Sequence, residues 1–181
     1  MKAGLAHTLT QIKSFFFDVD GVFTNGHVRV MENGQLVRTL NARDSYAVQL
    51  AVKKGYHLAV FTGGNSAAVK AQLEQLGIKH IYLKCHDKLE VFEDHITGYS
   101  IDPAQCSYMG DDIPDYQVMQ RVGLAACPKD AAREIQGISQ YVSPYAGGEG
   151  CVRDLIQGVM MAQGTWFKEE ESQRNFKDFM W

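Results

Sequence analysis

The chain has 181 residues, 45% of them apolar, which suits one domain with a substantial core. Its 18 basic and 21 acidic residues are interspersed and leave a formal charge of −3, so no basic run is present to track nucleic-acid phosphates and a nucleic-acid partner is excluded. The one early apolar burst, Phe15 to Phe17, is stopped by Asp18, so neither a signal peptide nor a membrane span is expected, and the cytoplasm is the expected compartment.

Along the chain, short apolar runs alternate with segments of helical period, the pattern of an α/β fold with a Rossmann-like parallel sheet flanked by helices. Strands are predicted at residues 12–17, 57–61, 80–83, 107–109, 124–126 and 141–142. Helices are predicted at 44–54, 66–76, 88–97, 114–121, 130–136 and 151–163, several opened by Asp or Ser caps and closed by glycine. Residues 27–31 and 35–40, joined through Glu32-Asn33-Gly34, read as a β-hairpin flap directly after the first strand, because Asn-Gly is a tight-turn signal. The domain is expected to end near Gly164. Beyond it, residues 165–181 form an aromatic tail carrying Trp166, Phe167, Phe176, Phe179 and Trp181, which is expected to dock on a surface, that of a neighbouring subunit included. The four cysteines contain no Cys-x-x-Cys pair and suit reduced core thiols. His80, Cys85 and His86 match no zinc spacing.

The chemistry gathers at strand ends. Asp18 and Asp20 close the first strand at i and i+2, so both point to one side, and two anions that close call for a shared hard cation such as Mg²⁺. A plain strand-ending turn is the alternative for these two alone. Thr62-Gly63-Gly64 closes the second long strand with a hydroxyl and two flexible amides suited to phosphoryl oxygens. Lys88 opens a helix after the third strand and offers an ammonium, although an isolated lysine is commonly solvated. Gly110-Asp111-Asp112 and Asp115 follow the fourth, supplying more carboxylates or, more simply, a helix cap. In a parallel sheet these carboxyl-terminal strand ends share one edge, where α/β folds bind their ligands.

The ordered set DVDGV, TGG, Lys88 and GDDxxD resembles the haloacid dehalogenase superfamily of aspartyl phosphotransferases over nearly the whole chain. The resemblance implies that Asp18 is the nucleophile, that Asp20 is the general acid and base, and that Thr62 and Lys88 bind phosphoryl oxygens. It also implies Mg²⁺ held by Asp18, the Asp20 carbonyl and Asp111, with Asp112 and Asp115 orienting its waters or Lys88. The gaps from Asp20 to Thr62 and from Thr62 to Lys88 are too short for a cap domain, and an open site orients small substrates poorly, so a homo-oligomer that closes it is expected.

The hairpin, Ala42-Arg43-Asp44 and the run Gly147 to Asp154 narrow the resemblance to the cap-less, tetrameric 3-deoxy-D-manno-octulosonate 8-phosphate phosphatases of lipopolysaccharide synthesis. This implies a small phosphorylated sugar acid as substrate, with Gly63, Gly64, Arg43 and Arg153 as further substrate contacts, the arginines across a subunit interface. Many relatives carry Arg or Glu where Gly64 stands and a basic cluster where this chain has Gln72 and Gln75, so a nine-carbon keto sugar acid phosphate is the alternative substrate. The alternative from another class is a receiver-like phosphoacceptor without turnover. Against it, the third strand runs into Tyr82-Leu83-Lys84-Cys85, where a receiver needs its phosphoacceptor.

Overall fold

In the computed structural model, which describes residues 3–174 and 176–180, a helix α1 (Ala3–Gln11) leads into β1 (Ser14–Phe17). A hairpin of β2 (Arg29–Val30) and β3 (Leu36–Val37) follows, then α2 (Ala42–Lys53), β4 (His57–Phe61), α3 (Ala67–Gln75), β5 (His80–Tyr82) and α4 (Lys88–Tyr99). The second half adds β6 (Cys106–Met109), α5 (Tyr116–Met119), β7 (Leu124–Cys127), α6 (Arg133–Ile138), β8 (Tyr141–Val142), α7 (Cys151–Ala162) and α8 (Glu169–Arg174). Six strands form one parallel sheet in the order β5-β4-β1-β6-β7-β8, so the α/β class read from the alternating pattern is the class observed.

β1 holds the sheet's interior. All four of its residues are buried, and alternation sends Phe15 and Phe17 to one face and Phe16 to the other. Phe15 and Phe17 join the core built with α1, α2, α3 and α7, whereas Phe16 packs edge-on against Phe61 and Phe92 in the core under α4, α5 and α6. The register pairs Phe17 with Val60 on one side and Met109 on the other, so the residues after β1, β4 and β6 emerge side by side at one edge.

Several boundaries differ from expectation. The segment before β1 is helical, and Ile12 is not part of the strand: the Gln163 side chain donates to the carbonyls of Leu9 and Ile12 at 2.9 and 2.7 Å, fixing the end of α1 there. The spacing Leu5, Leu9, Ile12 was the helical signal, with Leu9 and Ile12 buried. Asp130, expected near the start of α6, instead accepts the Gly147 amide at 2.9 Å, and α6 begins at Arg133. Pro114 sits in a 3₁₀ turn, Ile113–Asp115, which shortens α5 to Tyr116–Met119.

The hairpin is a separate two-stranded sheet turned by Gly34 at φ +82°, a left-handed conformation that favours glycine. Its Val28, Val30, Met31, Leu36 and Val37 are all exposed. In the tail, Trp166 stands edge-on to Tyr46 of α2, and the Phe179 carbonyl accepts the Tyr46 hydroxyl at 3.0 Å, so this segment covers α2 of its own chain. Trp181 lies outside the described residues. No helix among the described residues is long and apolar enough to cross a membrane.

Candidate active site

Asp18 directly follows β1 and is 8% exposed. One carboxylate oxygen accepts the Val19 amide at 2.6 Å, and the other pairs with the Lys88 ammonium at 2.8 Å. Lys88 is the first residue of α4, set there by the Asp87 side chain, which accepts the Glu90 amide and so caps the helix. Its ammonium also reaches Asp115 at 2.6 Å. Asp115 is fully buried, and its oxygens are committed: Oδ1 accepts Lys88 and the Tyr108 hydroxyl, the latter at 2.8 Å, and Oδ2 accepts the Asp111 amide at 3.1 Å. The 3₁₀ turn delivers that carboxylate, and the exposed Asp112 caps the turn by accepting the Ile113 amide.

Asp111 completes the pocket. Its carboxylate fills the space where Gly21 lacks a side chain: a Cβ there would lie 1.9 Å from Asp111 Oδ2. Carboxylate oxygens of Asp18, Asp111 and Asp115 lie within 4.8 Å of one another. Burial, then the charge of Asp115, pushes the Asp18 carboxyl up to about 7 despite Lys88. Burial, then Asp18 and Asp115, raises Asp111 to about 7 as well. Burial works against the charge of Lys88, but Asp18 and Asp115 outweigh it and hold the ammonium above the usual lysine value. Three carboxylates against one ammonium leave the pocket short of positive charge, a deficit that a hard divalent cation with oxygen ligands closes. The donor set therefore fits Mg²⁺. Asp115, with both oxygens engaged, sits better as the anchor of Lys88 than as a direct ligand.

Thr62 follows β4, is buried, and accepts the Gly64 amide on its hydroxyl at 3.0 Å. Gly64 in turn accepts the Lys84 amide, and the Thr62 carbonyl accepts that of Cys85, so the loops after β4 and β5 are stitched together beside Asp18. Asp20 lies on the outer side of this group. Its side chain is held by the Arg38 guanidinium through two bonds, Nε to Oδ1 at 2.7 Å and Nη2 to Oδ2 at 2.9 Å. A groove of about 1150 Å³ runs from Arg38 between the hairpin and α3, lined by Gln35, Thr39, Ser45, Asn65 and Gln72 among others.

The structure thus brings together Asp18, Asp111, Asp115 and Lys88, with Thr62, Gly64 and Asp20 alongside. It keeps Arg43 and Arg153 apart from them. Both line a different cavity with Tyr141, Tyr145 and Glu149, and the Arg153 guanidinium rests 5.2 Å from the Trp166 ring centroid and 5.8 Å from that of Tyr46. Sequence reasoning missed Arg38, Tyr108 and Thr24, whose hydroxyl reaches Asp20 Oδ1 at 3.3 Å. An arginine at the end of a hairpin gave no sign of its partner eighteen residues earlier. Tyr108 alone carried a cue, a phenol on a buried strand one residue before the Met-Gly-Asp turn.

The chain matches no family model. It is 34% identical over 161 residues to the 3-deoxy-D-manno-octulosonate 8-phosphate phosphatase KdsC of Salmonella typhi, covering 87% of this chain and 86% of that protein. The KdsC of Escherichia coli K12 is 34% identical over 153 residues, 84% of this chain and 81% of that one. Among solved structures, the Yersinia pestis phosphatase of the same name superposes with a TM-score of 0.88 at 28% identity, over 90% of this chain and 88% of its own. The Moraxella catarrhalis enzyme, solved with magnesium, phosphate and KDO, gives 0.90 at 26% identity over 97% and 99%.

Proposed function

Because the chain belongs to the 3-deoxy-D-manno-octulosonate 8-phosphate phosphatase family of the haloacid dehalogenase superfamily, we propose that it hydrolyses that sugar acid phosphate with Mg²⁺. The observation that carries the reading is a nucleophile-grade carboxylate, Asp18, fixed at the end of β1 by Lys88 and gathered with Asp111 and Asp115 into one anionic pocket.

The proposed roles follow the geometry. Asp18 attacks phosphorus in line, the bond from phosphorus to the sugar oxygen breaks, and Asp20 supplies the proton that the departing alkoxide takes up. Asp20 then takes a proton from water, which attacks the aspartyl phosphate, releases phosphate and regenerates Asp18. Lys88 and the Thr62 hydroxyl, with the amides of Gly63 and Gly64, bind phosphoryl oxygens. Asp115 keeps the ammonium aimed at Asp18, and Asp112 holds the turn that carries Asp115. Asp18, Asp111 and the Asp20 carbonyl would hold Mg²⁺, which offsets the negative charge gathered during the displacement. The sugar end occupies the groove between hairpin and α3. Four buried free thiols suit action in a reducing cytoplasm.

The test is phosphate release with Mg²⁺ and with EDTA across 3-deoxy-D-manno-octulosonate 8-phosphate, nine-carbon relatives, hexose phosphates and p-nitrophenyl phosphate. A Mg²⁺-dependent preference for the octulosonate is expected. A nine-carbon preference would keep the chemistry and move the substrate, with Gly64, Gln72 and Gln75 as the cause; phosphorylation without release would favour the phosphoacceptor.

A homo-oligomer, a tetramer by resemblance, is part of the same proposal. Its support is the hairpin, where Val30 is 70% and Leu36 52% exposed, more apolar surface than two short strands leave in water without a partner. Arg43 would act on a neighbouring copy's substrate. Arg153, stacked between Tyr46 and Trp166 in the same cavity as Arg43, would do so too through its remaining guanidinium donors. Val30→Glu is expected to shift the assembly toward monomer in sedimentation and to lower kcat/KM; an unchanged assembly counts against the hairpin as its contact.

A further inference from the structure

Asp20 is less confined than Asp18, Lys88 and Asp115. Its side chain is 33% exposed, and beyond Arg38 it meets the Thr24 hydroxyl only at 3.3 Å. Arg38, by contrast, is well covered at 9% exposure, and it immediately follows β3, so its fork is presented from the base of the hairpin. Both bonds of that fork have good lengths, and the bidentate form fixes the plane of the carboxylate as well as its position. Gly64 leaves the room for it. A Cβ at Gly64 would stand 3.7 Å from Arg38 Nη2, 3.7 Å from Asp20 Oδ2 and 3.3 Å from Thr62 Oγ1, so an acidic side chain there would compete with Asp20 for the guanidinium.

We infer that Arg38 is the positioning residue for Asp20: its two-bond fork holds the carboxylate at the leaving-group side of the site, and when Asp20 carries the proton for the departing alkoxide one bond of the fork opens while the other keeps the group in place. The inference rests on the phosphatase reading above. An acid that drifts by about 1 Å loses on the order of a hundredfold in rate, and Asp20 has no other firm partner among the described residues. The effect must therefore run through Asp20, and it must matter only where the leaving group needs a proton.

The experiment measures kcat/KM, which reports steps up to departure of the leaving group, for the unaltered chain and for Arg38→Met, Arg38→Lys, Asp20→Asn and Asp20→Asn/Arg38→Met, all with saturating Mg²⁺. The substrates are 3-deoxy-D-manno-octulosonate 8-phosphate, whose alkoxide needs protonation, and p-nitrophenyl phosphate, whose phenolate leaves unaided. Arg38→Met is expected to cost about 10²-fold on the octulosonate and less than about threefold on p-nitrophenyl phosphate. In the Asp20→Asn background the added loss should fall below about threefold on both. Arg38→Lys, which keeps the charge but not the fork, should recover only part of the loss. Equal losses on the two esters, a full loss persisting with Asn at position 20, or complete recovery by lysine each overturns the positioning role. If the unaltered chain turns over neither ester, the phosphatase reading itself fails and this role with it.

Discussion

Asp18→Asn is expected to lower kcat by about 10⁴-fold or more while leaving the far-UV circular dichroism unchanged. The amide replaces the attacking oxygen pair with a group that forms no aspartyl phosphate, and the other two carboxylates have other roles: Asp115 is bound to Lys88, Tyr108 and the Asp111 amide, and Asp111 would hold Mg²⁺. The same variant has an opposite effect on stability. Burial raises the Asp18 carboxyl to about 7 in the fold, above its ordinary value of 3.8. The native chain therefore holds a proton that the unfolded chain has lost, and stability falls as pH rises from about 4 through 7. Asn carries no such penalty. In EDTA, the melting temperature of Asp18→Asn should match the unaltered chain near pH 4 and exceed it at pH 8, and added Mg²⁺ should narrow the gap by stabilising only the carboxylate form. Retained turnover would refute the nucleophile; a variant less stable at pH 8 would refute the strained-anion picture.

The second large effect is expected from Lys88→Met. The substitution keeps much of the side chain's volume but removes the ammonium that lies 2.8 Å from Asp18 and 2.6 Å from Asp115, where the three side chains are 5%, 11% and 1% exposed. Breaking a buried ion pair by deleting one partner costs about 3–5 kcal/mol, because the remaining charge is left uncompensated. Denaturant unfolding at pH 8 without metal should show a loss of that size, shrinking at lower pH as the carboxylates take up protons. Turnover should fall by about 10³-fold, since the ammonium would also face the phosphoryl oxygens. A stable variant with normal kcat would remove Lys88 from the site.

The strand ends were legible because apolar run, carboxylate pair and glycine are local in sequence: Phe17-Asp18, Phe61-Thr62 and Met109-Gly110-Asp111 each declare a strand and the polar group at its end. The hairpin was legible from Asn33-Gly34 for the same reason. Long-range contacts escaped. Gln163 fixes the end of α1 from 151 residues away, Asp130 leaves its helix for Gly147, and Arg38 finds Asp20 across the hairpin. Each is a polar side chain satisfying a group that only tertiary folding brings near, and single-sequence periodicity carries no record of it. The same holds for Arg153: its motif suggested a ligand contact but gave no sign of the two aromatic rings it rests on.

The phenylalanine triplet of β1 has a consequence beyond packing. Phe15 and Phe17 belong to one half of the interior and Phe16 to the other, and the next residue is Asp18. The nucleophile is thus the terminus of a wall shared by two compartments, and it cannot shift without disturbing both. The threonine loop and Asp111 hang from β4 and β6, which are hydrogen-bonded to that wall, and the lysine follows β5 one strand further out, so all three are placed relative to it. The hairpin and Asp20 lie outside that wall, on the site's more open side.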